Sequence, residues 1–218
     1  MNKAVIIGAG SFPRSEYPRY LVREADILIC CDSAFETFLK VMPSIFGGER
    51  LPEAVVGDMD SLSASLQKRY ADRMVKVSEQ DYNDQTKAMR YLLSMGRPLE
   101  SVHFIASTGR RMDHSIGNLG LLMEYGRMFS LEGISISAVS DYETVFPLWD
   151  SAELAVGEGR RVSIFSPDNS LRIDSEGLEY PTSGVVFDNW WQATLNRAVA
   201  PAIRLAFNHP SAALIILS

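Results

Sequence analysis

The chain has 218 residues, 46% of them apolar and 22% charged, enough for one large or two small domains with a core that needs no staples. Its net charge of −6 argues against a general nucleic-acid binder, which needs a basic face, but leaves small phosphorylated ligands open. No apolar run is long enough to span a bilayer, and the one after Asn2 and Lys3 is too short for a signal sequence, so the expected location is cytoplasmic, with no membrane partner.

In chain order, the first predicted strand covers residues 4–7 and runs into Gly8-Ala9-Gly10-Ser11, a turn with two glycines but without the third of a dinucleotide fingerprint. The second, residues 27–31, contains Cys30 and Cys31. Neighbours on a strand point to opposite faces, so these are read as two reduced, apolar side chains, which suits a reducing compartment. A helix is expected over 34–42 with Ser33 as N-cap. Strands at 54–56 and 74–77 flank a helix at 63–70, and strands at 102–106 and 134–139 alternate with helices at 84–95 and 115–129. Short Val- and Ile-rich strands alternating with amphipathic helices predict a doubly wound, mostly parallel α/β domain over residues 1–140.

After residue 140 helical periodicity fades. Strand-like runs at 144–148, 161–165, 171–173, 198–207 and 213–217 are separated by turn signals such as Gly157-Glu158-Gly159 and Asn208-His209-Pro210. Residues 141–218 therefore predict a smaller all-β, sandwich-like domain.

Ligands of open α/β sheets bind beyond the carboxyl ends of the strands, and four successive ends carry aspartates. Asp32 and Ser33 close the second strand, and Asp58 and Asp60 close the third. If extended, Asp58 and Asp60 point to one side, where like charges need a cation between them; the alternative is a capped turn opening the next helix. Asp81 and Asp84 flank a helix start, either as ordinary caps or, with Lys87 one turn on, as part of an anion site. The fifth strand leads into Gly109-Arg110-Arg111-Met112-Asp113-His114 and then Asn118. Arginines beside a glycine can clamp phosphate, Asp113 can orient Arg111 or bind metal, and His114 is a general base or a structural hydrogen-bonder. So many carboxylates at one sheet edge are costly unless they bind cations, which points to Mg²⁺-assisted transfer of a phosphate-containing group.

The same segments resemble the thiamine pyrophosphokinase family. Val56-Gly57-Asp58-Met59-Asp60-Ser61 is similar to its Gly-Asp-Phe-Asp-Ser segment, and Asp81-Tyr82-Asn83-Asp84, followed by Lys87, to Asp-x-Thr-Asp. Gly109 to His114, with Asn118, resembles Gly-Gly-Arg-x-Asp-His and its following Asn. Ser175-Glu176-Gly177-Leu178-Glu179-Tyr180 resembles a Gly-Leu-x-Tyr/Trp stretch, and Thr194-Leu195-Asn196 stands where a Ser-Asn pair is usual. The chain departs from the pattern where Asp-Gly-Gly-Ala-Asn reads Asp32-Ser33-Ala34-Phe35-Glu36, and where Arg110, Asn83 and Leu195 replace glycine, threonine and serine.

The resemblance implies transfer of diphosphate from ATP to the thiamine hydroxyl, giving thiamine diphosphate and AMP, in a homodimer whose sites lie between subunits. It implies Asp58, Asp60 and Asp84 as Mg²⁺ ligands, supported by Asp81 and Asp113, and Arg111 and Lys87 on phosphates. Asp32, Ser33, Gly109, Arg110, His114, Asn118, Thr194 and Asn196 are the further binding candidates. Trp190 and Trp191 suit a thiamine pocket, or alternatively a core or interface. Two other readings use the same residues: another Mg²⁺-dependent phosphotransferase or phosphohydrolase, and a non-catalytic nucleotide- or thiamine-binding relative.

Overall fold

Six of the apolar segments become parallel strands in the computed structural model, which describes all 218 residues. They are β1 (Asn2–Ile7), β2 (Ile27–Cys31), β3 (Ala54–Gly57), β4 (Met74–Lys76), β5 (Leu99–Ile105) and β6 (Ser135–Val139). Their order is β6-β5-β1-β2-β3-β4, with every pairing parallel. All five residues of β2 and the last four of β1 are buried, which is why they read as continuous apolar runs rather than alternating ones. Cys30 and Cys31 are free, buried thiols, and burial pushes both well above the usual thiol range.

The helices are α1 (Glu16–Arg23), α2 (Ala34–Phe46), α3 (Ala64–Arg69), α4 (Asp84–Ser94) and α5 (Met112–Met128). Helix α2 runs a turn past the predicted end, through Pro43, and stops at Gly47, whose φ of 69° is left-handed. The chain steps outward from β1 to β4, then returns to the other side of β1 as β5. The switch point of this doubly wound sheet thus falls between β1 and β5, and a crevice forms there.

By contact density the chain divides into two units, Met1–Asn118 with Glu132–Asp141, and Leu119–Leu131 with Tyr142–Ser218. The second unit contains β7 (Thr144–Leu148), β8 (Ala152–Ala155), β9 (Arg161–Phe165), β10 (Ile173–Glu176), β11 (Ala193–Arg197), β12 (Ala202–Phe207) and β13 (Ala213–Leu217). Two antiparallel sets result, β11-β9-β13-β7 and β10-β12-β8. Val162, Ile164 and Ile215 from the first set and Ile173, Ile203 and Leu205 from the second share one buried core, a sandwich. The predicted strand at 198–207 is shorter than expected, because Val199-Ala200-Pro201 turns the chain between β11 and β12. The second half of α5 is docked by Trp149, whose indole donates to Met123 O at 2.9 Å. Gly126 makes room for it, since a Cβ there would lie 2.2 Å from the indole.

The turn ahead of β10 is closed by Asp168, which accepts from Ser170 N (2.8 Å), Ser170 Oγ (2.6 Å) and Ser211 Oγ (2.6 Å). These bonds hold its carboxyl at about 2, below the ordinary aspartate range. Stability from this group is therefore present above the unfolded value, about 4, and is lost as pH falls toward 2. Asp168→Asn is expected to lower stability at pH 7 by about 1 kcal/mol. Thermal melts across pH should show the gap to the parent protein closing below pH ~4; a gap that stays constant would show that ionisation is irrelevant here.

Candidate active site

The site begins where two loops cross at the switch point. Gly8 N, Gly10 N and Ser11 N donate to Ile105 O (2.8 Å), Ala106 O (2.6 Å) and Thr108 O (2.8 Å), so the loop after β1 runs along the loop after β5. This explains the two glycines: a Cβ at Gly10 would lie 2.2 Å from Thr108 O, and one at Gly8 2.8 Å from Ala106 O. Gly109, at φ 92°, is held by Ser11 Oγ, which donates to its carbonyl at 2.7 Å. Gly10→Ala is expected to force the loops apart and cost several kcal/mol, roughly the 1–3 of overpacking plus a lost hydrogen bond. A variant melting like the parent would contradict this crossing.

A cleft of about 290 Å³ opens beside the crossing. It is lined by Gly8 to Gly10 and Cys31, by Asn83, Asp84 and Gln85 at the start of α4, and by Ser107, Thr108, Arg110, Arg111, His114, Ser115 and Asn118. Cys31 and Gln85 were not foreseen as lining residues; one looked like a core thiol and the other like an ordinary first-turn residue.

The carboxylates gather on the β2–β3 side. Asp32 is buried at φ 32°, and its Oδ1 has no hydrogen-bond partner. Burial raises its pKa; the bond from Ser61 N opposes this, and the charges of Asp84, Asp58 and Asp60 add to the rise. Gly57 lets Asp32 sit this close, since a Cβ there would be 2.7 Å from the Asp32 Cβ. The segment after β3 is not extended as the strand pattern suggested. It turns at Met59 (φ 68°), and Asp60 N donates to Asp58 Oδ1 at 3.1 Å. Gln67 Nε2 pins this turn through Met59 O and Leu62 O, both at 2.8 Å. Gln80 Nε2 ties Asp58 to the loop before α4 at 3.2 Å. These bonds, that from Asp60 N first, hold Asp58 below the usual carboxylate range.

Asp84 opens α4, and Asn83 caps it by accepting from Thr86 N at 3.1 Å. Burial raises the Asp84 pKa, Lys87 lowers it, and Asp58 raises it further. Lys87 lies 3.5 Å from Asp84 Oδ1 with a side chain 2% exposed, and it is not among the cleft-lining residues. Its charge faces Asp84 rather than open cleft.

Asp113 stands apart from this group. It pairs with Arg111 at 2.5 Å in an exposed ion pair that, with His114 N, holds it at about 2. Asp81 is exposed in the turn before α4. Ser33, Ala34 and Phe35, at the departure from the family pattern, do not line the cleft. Ala34 and Phe35 are fully buried, and the Phe35 ring meets Tyr70 edge-on at 5.1 Å. In the second unit, Asn196 is tied by its amide to Tyr180 N (3.1 Å) and Tyr180 O (2.7 Å). Thr194 precedes Leu195, which bulges outward at φ 60° and 88% exposure. Trp190 and Trp191 are half exposed, neither in the core.

The acidic group fits a divalent cation. A buried, unpartnered carboxylate oxygen and mutually destabilising charges are relieved by a positive ion. No three acidic, thiol or imidazole side chains could by themselves hold an ion, so water and substrate oxygens would complete the shell.

The fold defines the class: a doubly wound α/β unit with its cleft at the switch point, followed by an antiparallel β unit. A family model described as "Thiamin pyrophosphokinase, catalytic domain" matches residues 18–132, and another described as "Thiamin pyrophosphokinase, substrate-binding domain" matches residues 144–212. The chain belongs to the thiamin pyrophosphokinase family, and is accordingly an ATP-dependent diphosphotransferase, a thiamine diphosphokinase. Among solved structures it is similar to thiamine pyrophosphokinase from Bacillus subtilis, with TM-score 0.74 and 19% identity over 99% of each chain. It is similar also to thiamin pyrophosphokinase from Candida albicans, with TM-score 0.80 and 13% identity over 99% of this chain and 88% of that one. The yeast enzyme matches with TM-score 0.73 and 11% identity, over 99% and 86%. At these identities the likeness speaks for the fold. No curated protein matches the chain.

Proposed function

We propose that the cleft between the β1 and β5 loops takes ATP, and that Asp58, Asp60 and Asp84 hold Mg²⁺ beside it. The observation that carries this reading is the mutual electrostatic coupling of Asp32, Asp58, Asp60 and Asp84 next to a cleft also lined by Arg110, Arg111 and His114. When bound, Mg²⁺ supplies charge neutralisation on the phosphates. The arginines offer fork-shaped donors to phosphate oxygens, and Asp113 keeps Arg111 oriented. In the reaction the thiamine hydroxyl oxygen bonds to the β-phosphorus, the bond from that phosphorus to the α–β bridging oxygen breaks, and AMP leaves. His114 is the candidate acceptor of the hydroxyl proton. Positioning and charge placement do most of the work in such transfers.

Residues 1–140 would carry this chemistry, and 141–218 thiamine recognition and dimerisation, with Thr194 and Asn196 on the thiamine side and the two sites between subunits. The exposed Trp190, Trp191 and Leu195 support an interface role for that unit. No helix is long and apolar enough to cross a membrane, and the buried free thiols suit the cytoplasm. The test is incubation with ATP, Mg²⁺ and thiamine. AMP should form one-for-one with thiamine diphosphate and only when thiamine is present. Phosphate or ADP release without thiamine would refute the reading.

A further inference from the structure

Asn118 carries an amide turned toward protein rather than left open to the cleft. Its Oδ1 accepts from Asn83 Nδ2 at 2.7 Å, and its Nδ2 donates to Ser107 O at 2.7 Å. Its backbone carbonyl accepts from Gln85 Nε2 at 3.0 Å. Asn83 in turn caps α4 directly ahead of Asp84. One chain of bonds therefore runs from the start of α4, through the first half of α5, to the loop after β5. The direction of both amides is fixed by this chain, because turning either would set like groups face to face.

We propose that Asn83 and Asn118 form a clamp that sets the spacing between Asp84 and the loop after β5, making both positioning residues for the transfer. The assignment rests on the cleft being the nucleotide site. It differs from a ligand contact because both ends of the Asn118 amide lie on protein atoms. Asn83 stands where the family pattern has threonine, whose side chain has no second nitrogen donor to reach Asn118 while capping. The clamp is thus a property of this chain's own pairing. Misplacing a reacting group by about 1 Å can cost on the order of 10²-fold in rate, so the loss belongs in kcat.

The informative variant is Asn83→Ser. Serine keeps the helix cap but lacks the amide that reaches Asn118. Asn83→Ser and Asn118→Ala are each expected to lower kcat about 10- to 100-fold with KM for ATP changed little, and the double variant should be no worse than the poorer single. A second readout needs no turnover: Gly10 and Ser11 donate to Ala106 O and Thr108 O, so loosening that loop should speed hydrogen exchange at these two amides in the Asn83→Ser apoprotein. Unchanged exchange there would overturn the clamp. So would a raised KM in Asn118→Ala alone with multiplicative effects in the double variant, which marks direct nucleotide contact. A lowered melting temperature with normal kcat would mark a purely structural role and also overturn it. If wild-type protein makes no AMP from ATP and thiamine, the functional reading fails, while the exchange experiment still decides the clamp.

Discussion

Substituting Asp58 or Asp60 by Asn is expected to lower turnover by on the order of 10²- to 10³-fold while leaving the fold intact. The two halves of this expectation have separate causes. Asp60 is exposed, and its local role is a backbone one, donating to Asp58. In Asp58→Asn the side-chain carbonyl can still accept from Asp60 N, so the turn at Met59, held also by Gln67, has no reason to open. Surface changes of this kind are usually worth less than about 0.5 kcal/mol. What is removed is charge. Asp32 feels both carboxylates, so each contributes to the negative field that a cation would answer. Manganese titration, read by spectroscopy rather than activity, should show weaker binding in either variant. Near-wild-type activity and unchanged metal binding in both would remove Asp58 and Asp60 from the metal site.

The acidic group was legible because its members follow strands that announce themselves. β1 and β2 are buried on both faces and so appear as uninterrupted apolar runs, and the residue after each run falls at the sheet edge. Helix α1 left no such mark. It buries only Pro18 and Val22, and its Tyr and Arg residues face outward. Strand β8 reads Ala-Glu-Leu-Ala, without β-branched residues. β11 is broken by the bulge at Leu195, which spoils alternation. The Asn83–Asn118 bond joins residues 35 apart, and no local pattern announces a pairing that only the packing of α4 and α5 creates. The same holds for Lys87: its spacing from Asp84 suggested an anion site, but whether it faces ligand or interior depends on what covers the first turns of α4. There Gln85 through Met89 are all buried.

Lys87→Met is expected to destabilise the protein toward the lower end of the roughly 3–5 kcal/mol that breaking a buried ion pair costs. The lower end applies because the two partners differ: Lys87 is 2% exposed, whereas Asp84 is 36% exposed and water can reach it once its cation is gone. Turnover should fall as well, since Asp84 is left beside Asp32 and Asp58 without the ammonium that offsets their charge. The decisive comparison adds Asp84→Asn. Alone, that change strands a buried ammonium; combined with Lys87→Met, no unpaired charge remains. The double variant should therefore melt above the temperature that summing the two single losses gives, a coupling of about 1–3 kcal/mol, although it stays inactive. A phosphate-holding lysine behaves otherwise. Its removal would leave melting unchanged and raise KM for ATP, and the two substitutions would add. That pattern would detach Lys87 from Asp84 and return it to the nucleotide.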